Sequence, residues 1–436
     1  MRGLPAAATA APPGVRVVID ARALQEPDRA PLTAAYLEGL LGAFDADPVP
    51  GESFAFLLAS DADDPTERFT NLSVIGRRLL PPTRLLRSGA LTVDPFLLRG
   101  ASLGAAWRAD RGGAAGAVYH GAGGALPIVA SLPVVATLLD LAPWSAPGSY
   151  QRGMAARFGQ RLRAQLLREA AAVLVGSDEV AVVARRLLRI KRDRLRVVPL
   201  AARPAFLAAG GAGAAPSADT PAASADADRG APDRGAPDRV GPGPYLVYGA
   251  RHDARHDLVT LTAALERLAA AGRPAKLKAG VAWPPRIVIT EATPDDRADI
   301  ARVAARYGVG DALRYVPAVP PDELAAIVRG ARAALVPMRA DATGFAALDA
   351  LAVGVPVVAS AVEALPGIVG TAGILVEPRD VDRLATALTT IWINDPLHKR
   401  LAAAAAASSI GARTWRDVAR DVRAIYAEVG VARVSR

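Results

Sequence analysis

Two trains of short β-branched runs, each alternating with helical stretches, limit what this chain can fold into more than any other feature. The first train holds Val15–Asp20, Phe54–Ala59, Ala117–His120, Val134–Thr137, Ala172–Gly176 and Arg196–Pro199. The second holds Tyr245–Gly249, Arg286–Thr290, Leu313–Val316, Ala333–Pro337, Val357–Ala359 and Gly373–Val376. Between them lie stretches such as Val259–Ala271 and Pro321–Ala331, with apolar residues at helical spacing. Apolar strands alternating with helices predict parallel sheets covered on both faces. Residues 207–244 are almost wholly Ala, Gly, Pro, Asp, Ser and Arg, and repeat Asp-Arg-Gly-Ala-Pro from Asp228 and from Asp233. Such a stretch cannot offset the entropy of ordering and reads as a disordered linker. The expected organisation is a flexible leader (1–14), an N-terminal domain (15–206), the linker (207–244), a C-terminal domain (245–412) and a closing helix (413–436) packed back on the N-terminal domain. In doubly wound α/β domains ligands sit beyond the carboxyl ends of the strands, so chemistry is sought there.

Composition removes several alternatives. The chain has no cysteine, which excludes disulfides, thiolate metal sites, Fe–S ligation and a cysteine nucleophile. Four histidines in 436 residues argue against a multi-histidine metal centre, and no metal or other cofactor is expected. The formal charge of +9 is concentrated: Arg152 to Arg203 holds 13 basic and 4 acidic residues. That surplus is either a set of solvated helix faces or an electropositive surface for anionic lipid or an anionic ligand. It carries no series of aromatic stacking platforms, so nucleic acid is not the expected partner. The start, Met1 to Gly14, lacks the apolar core of a secretory signal, and the longest apolar run, Ala125 to Leu139, is interrupted by prolines and too short to span a bilayer. A cytoplasmic protein is expected, with peripheral contact at an anionic membrane face through Arg152–Arg203.

The segment from Pro337 to Ser360, PMRADATGFAALDALAVGVPVVAS, is the most informative. A strand ends at Pro337, a loop holds Asp341, a helix starts near Gly344 and Phe345 and carries Asp349, and Gly354 closes it. A helix start beneath a loop offers free N–H groups and the positive end of the dipole to an anion. The segment resembles the donor-site motif of the family 4 (group 1) glycosyltransferases, in which two glutamates stand eight residues apart ahead of a Gly-x-Pro-Val-Val-Ala-Ser run. Asp341 and Asp349 keep that spacing. Other segments resemble the family in the same order: Ile19-Asp-Ala-Arg-Ala-Leu, Tyr36-Leu-Glu-Gly-Leu-Leu, the strand ending in Leu139-Asp140, Val197-Val-Pro-Leu, Tyr248 to Leu258, Leu365 to Val376, and Thr414-Trp415.

The resemblance implies a GT-B fold, two Rossmann-like domains facing a cleft, and transfer of a hexose from a nucleotide-diphosphate sugar to a glycan or lipid-linked acceptor, with retention and without a bound metal. It implies that Arg251 and His256 hold the diphosphate beside the helix start at Gly344 and Phe345, that Asp349 bonds the ribose and Asp341 the sugar, and that the acceptor lies near His120 and Asp140. Negative charge building on a leaving diphosphate is what fixed cations would stabilise. Five features depart from the pattern: His256 replaces a lysine, both glutamates are aspartates, Leu139 replaces a histidine, Arg29 to Ala35 replaces a glycine-rich loop, and Gly367 replaces a glutamate. These departures keep a second reading open, a GT-B-fold binding or partner protein with impaired catalysis; an epimerase on the same architecture is a third. Gly121-Ala-Gly-Gly also follows a strand, but Leu126-Pro127 breaks the dinucleotide fingerprint.

Overall fold

The computed structural model describes residues 14–83, 90–109, 116–211, 239–249 and 253–431. They form two parallel sheets, each wound in both directions from its centre. The N-terminal sheet contains β1 (Arg16–Asp20), β2 (Ser53–Ala59), β3 (Val74–Leu80), β4 (Ala117–Ala122), β5 (Val134–Thr137), β6 (Ala172–Val175) and β7 (Leu195–Val197), in the order β3-β2-β1-β4-β5-β6-β7. The C-terminal sheet contains β8 (Leu246–Gly249), β9 (Ile287–Thr290), β10 (Leu313–Tyr315), β11 (Ala333–Val336), β12 (Val357–Ser360) and β13 (Gly373–Val376), in the order β10-β9-β8-β11-β12-β13. Winding reverses between β1 and β4 in the first sheet and between β8 and β11 in the second, and a crevice opens at each reversal.

The strands are buried on both faces, which is why they read as unbroken apolar runs. In β1, Val17 and Ile19 join one core while Val18 packs with Leu57 and Tyr119 in another. In β8, Leu246 and Tyr248 face the outer core and Val247 the opposite one. The edge strand β3 is absent from the pattern of expected strands. Its sequence, Val-Ile-Gly-Arg-Arg-Leu-Leu, alternates poorly and is largely exposed, because an edge strand carries charge rather than a buried stripe.

Residues 207–210, expected to belong to the linker, are helical instead. Pro204–Gly210 is a helix with Pro204 in its first turn and Phe206 buried, and Gly210 lies against the backbone of Ala352 in the C-terminal domain. Of the expected leader, residues 1–13 lie outside the described residues, as do 212–238 of the expected linker.

The helix Trp415–Val431 returns to the N-terminal domain. Val418, Val422 and Tyr426 recur every four residues and are buried against it. Trp415 ties three regions together: its indole N–H donates to the Ala202 carbonyl at 2.8 Å, and its ring meets Tyr36 at 5.8 Å and Phe345 at 6.4 Å. A Cβ on Gly39 would stand 2.0 Å from that ring, so only glycine admits the tryptophan there. Arg423 adds a forked bond to Glu52, at 3.0 and 2.7 Å.

Candidate active site

The C-terminal crevice is a cavity of about 130 Å³ at the ends of β8 and β11, lined by Tyr248, Gly249, Met338, Arg255, His256 and Asp341 among others. Arg255 and His256 are presented by the turn after β8. That turn is fixed by Asp253, whose carboxylate accepts from the Arg255 backbone N–H at 2.8 Å and from its guanidinium at 2.6 Å. The His256 Nδ1 lies 3.2 Å from the same carboxylate, and its ring stands edge-on to Tyr248 at 6.1 Å. Burial opposes the charge of Asp253, but the bonds from His256 and Arg255 outweigh it and hold the carboxyl below its usual range. Arg255 is desolvated too, and the Asp253 bonds keep it firmly charged.

Across the cavity, Gly344 stands at φ +65° as the N-cap of the helix Phe345–Ala352. A side chain would be strained at that φ, and its Cβ would meet Ile368 at 2.2 Å. The amides of the first turn therefore point out from a loop that turns tightly just ahead of them.

The N-terminal crevice is larger, about 330 Å³, at the ends of β1 and β4. Asp20, Arg22, Glu26, Arg29, Asp94 and the glycines 121, 123 and 124 are among its lining residues. Arg22 forks onto Asp20 at 2.9 and 2.8 Å and reaches Asp94 at 3.1 Å, which places one guanidinium and two carboxylates in a bonded network on its floor. Gly123 and Gly124 have positive φ, and a Cβ on Gly123 would meet Thr33 at 2.3 Å, so the glycine run is a turn shaped to the wall. The two cavities share a wall. Arg29, Ala30 and Thr33 face the N-terminal one, whereas Pro31, Leu32 and Ala35, from the same helix start, face the C-terminal one.

Comparison with known proteins bears on this geometry. Residues 246–394 match the sequence profile of the family described as Glycosyl transferases group 1. A D-inositol 3-phosphate glycosyltransferase of Frankia alni is 38% identical over 129 residues, covering 29% of this chain and 31% of that protein. The chain thus matches under a third of that curated relative's length. Among solved structures, sucrose-phosphate synthase of Thermosynechococcus elongatus superposes with a TM-score of 0.64 at 17% identity, covering 95% of this chain and 98% of that one. Anabaena HepE in complex with UDP-glucose gives 0.59 at 13% identity, covering 95% and 98%. The chain has the GT-B fold, and its residues 246–394 are similar to the group 1 glycosyl transferases.

On the GT-B frame, the residues singled out from the sequence separate into three groups. His256, Asp341, Gly344 and Phe345 meet at the C-terminal cavity or its rim. Arg251 lies outside the described residues. Asp349 and His120 are enclosed away from both cavities, whereas Asp140 stands at the cleft opposite Arg255.

Asp349 is buried and lines neither cavity. Its carboxylate accepts from the backbone N–H of Arg203 at 2.8 Å and from the Arg203 Nε at 2.6 Å. Burial raises its pKa even though Arg203 works against the shift. Asp140 binds the Ala142 backbone N–H at 2.8 Å and caps that turn; burial raises its pKa, with Arg255 across the cleft opposing.

His120 is fully enclosed. The Tyr426 hydroxyl donates to its Nδ1 at 2.6 Å, its Nε2 donates to Thr137 at 2.8 Å, and Thr137 donates on to Tyr36 at 3.1 Å. Desolvation pushes its pKa down to about 3 and keeps it neutral, so this histidine ties the closing helix to β4 and β5 and lines neither cavity. Asp341 reaches the C-terminal cavity, yet its Oδ1 already accepts from the N–H groups of Thr343 and Gly344, at 3.1 and 2.7 Å.

Three site residues escaped the sequence reading. Arg255 had a signal, since it adjoins His256 in the segment that resembles the family. Arg203 had none: nothing around it announces that it will fork to Asp349 and bind Glu291 at 2.5 Å. Glu363, at φ +44°, is raised to about 8, first by burial and then by Asp341 and Asp140. The basic stretch Arg152–Arg203 also divides. Arg163 is buried over the Trp144 ring, Arg194 holds backbone carbonyls, Arg196 binds Glu428, and Arg203 is in the cleft. Among the described residues, no group of three or more His, Asp or Glu side chains is placed to hold a metal, and no helix is long and apolar enough to cross a membrane.

Proposed function

We propose that this chain transfers a hexose from a nucleotide-diphosphate sugar to a hydroxyl of a glycan or lipid-linked acceptor, with retention and without a metal ion. The observation that carries the reading is the pair of switch-point crevices separated only by the residue 29–35 helix start. In it, the C-terminal crevice takes the nucleotide diphosphate and the N-terminal one the acceptor. The bond from the anomeric carbon to the diphosphate oxygen breaks, the acceptor oxygen bonds to that carbon, and the acceptor proton leaves with the diphosphate. Charge growing on the leaving group is met by Arg255 and by the amides of the helix start after Gly344, both fixed before the reaction. Arg255 is the stronger, because Asp253 orients its guanidinium while leaving N–H groups to spare.

A second reading, nucleotide binding without turnover, is favoured by one observation: both motif carboxylates are already engaged, Asp349 by Arg203 and Asp341 by its own loop. Calorimetry of the full chain with UDP and with GDP, followed by transfer assays over a panel of donors and acceptors, separates the two. The transferase reading expects one nucleotide to bind and its sugar to be transferred, with Arg255→Ala weakening binding about ten- to a hundredfold. Binding without transfer moves the chain to the second reading. Binding of neither nucleotide removes both.

A further inference from the structure

Four exposed large apolar side chains of the N-terminal domain stand on three neighbouring elements. Met154 and Phe158, one turn apart on the helix Met154–Glu169, are 87% and 54% exposed. Phe96, on the helix Ala90–Ala109, is 56% exposed, and Val129, in the loop between β4 and β5, is 68% exposed. Backbone contacts bring these elements together. Thr92 donates to the Ala155 carbonyl, Gly159 packs on Leu91, and the Ile128 N–H donates to the Pro95 carbonyl at 3.0 Å. Monomeric surfaces scatter such side chains singly, so an apolar group of this kind marks an interaction site.

Its border is basic. Arg152, Arg157 and Arg161 are exposed beside it. Arg152 and Arg157 donate to the backbone carbonyls of Gly148 and Gln151, which leaves their charge uncancelled. The helix carries no carboxylate before Glu169 in its last turn. On the neighbouring helix, Asp94 is buried and turned inward to Arg22 and Thr83.

We infer that this patch docks the protein on an anionic lipid bilayer, with Met154, Phe158, Phe96 and Val129 entering the headgroup boundary and the three arginines meeting lipid phosphates. Charge decides for that occupant. An uncompensated row of arginines around exposed apolar side chains complements an anionic interface, and the two contributions add at a bilayer surface. A second copy of this chain would set the same arginines against each other. The helix that carries Phe96 also lends Leu91 to the wall of the N-terminal cavity, so docking would hold that cavity beside the lipid. Only this last consequence, delivery of a lipid-linked acceptor, rests on the transferase reading.

Cosedimentation of the full chain with vesicles tests the proposal, using phosphatidylglycerol mixed equally with phosphatidylcholine, and phosphatidylcholine alone. Binding is expected to the anionic vesicles only, and to weaken as salt is raised. Arg157→Gln with Arg161→Gln should weaken it about tenfold or more, at several-fold per arginine. Met154→Ser with Phe158→Ser should weaken it comparably, while Val259→Ser, on an exposed site of the C-terminal domain, should not. All four substituted patch residues are exposed, and circular dichroism checks that each variant folds.

Failure to bind, equal binding to both vesicle types, or unchanged binding by both double variants overturns the proposal. So does a concentration-dependent dimer that the serine variant abolishes in the absence of vesicle binding. Nucleotide calorimetry on the same variants should match wild type, which keeps the fate of this surface separate from that of the cleft.

Discussion

The two switch-point crevices share one topology and differ in what fills them. The N-terminal crevice is open, about 330 Å³, and on its floor a single cation, Arg22, meets two carboxylates, Asp20 and Asp94. The C-terminal crevice is narrower, about 130 Å³, and is lined by two arginines, Arg203 and Arg255, each held in place by carboxylates. A roomy pocket with carboxylate acceptors on its floor suits a neutral polyhydroxyl group. A tight one with fixed cations and a helix start suits a diphosphate. Topology dictates where both pockets form, and side chains alone decide which ligand each can take.

Arg203 is the sharpest test of that contrast, because it crosses from the end of the N-terminal domain into the C-terminal crevice. Its desolvation lowers its pKa, but Asp349 and Glu291 more than restore it, so it is a charged group with two anionic partners. Arg203→Ala strands a buried carboxylate and should cost about 3–5 kcal/mol, read as a lower urea midpoint. Adding Asp349→Asn removes the stranded charge while keeping an acceptor for the residue 203 N–H, and should recover most of the loss. If Arg203→Ala alone is neutral, Asp349 has another partner and the crevice is built differently.

The fold was legible because its cores demand it: strands buried on two faces show as apolar runs, and twelve of the thirteen have counterparts in the pattern. The exception, β3, is an exposed edge. The site was legible only where local geometry governs. Gly344 and Asp341 lie in one loop, and their spacing carries their relation. The pairing of Arg203 with Asp349 spans 146 residues and is set by how the domains pack, which no periodicity encodes. His120 misled for a related reason. A polar residue at a strand end looks like a ligand contact, and only the arrival of Tyr426 from the closing helix shows it to be an internal tie.

Two buried titrating groups, one in each domain, should respond oppositely to pH. Glu363 has a folded pKa of about 8 against an ordinary 4.5, so the folded state holds its proton more tightly. Stability from this group is full below about 4.5 and falls as pH rises toward 8, at up to about 1.4 kcal/mol per pH unit. His120 is the reverse. Its folded value of about 3 lies below the ordinary 6.5, so the unfolded state holds the proton and stability falls as pH drops from 6.5 toward 3. Urea midpoints across pH for the wild type, Glu363→Gln and His120→Gln should show the alkaline slope reduced in the first variant and the acid slope in the second. Unchanged slopes would mean that neither environment is as dry as its neighbours make it.

The smallest effect separates capping from ligand binding at Asp341. Its Oδ1 accepts three bonds, from the Thr343 N–H and hydroxyl and the Gly344 N–H, and so sets the loop that presents the helix start. Asp341→Ala should cost about 1 kcal/mol, the usual loss of a cap, whereas Asp341→Asn keeps an acceptor oxygen and should melt close to wild type. The same pair distinguishes the crevices functionally. If Asp341 serves only the loop, Asp341→Asn retains nucleotide affinity and turnover. If its second oxygen also holds the sugar, Asp341→Asn keeps its stability and nucleotide affinity but loses turnover, because the charge that the amide lacks acts on the transferred group and not on the loop.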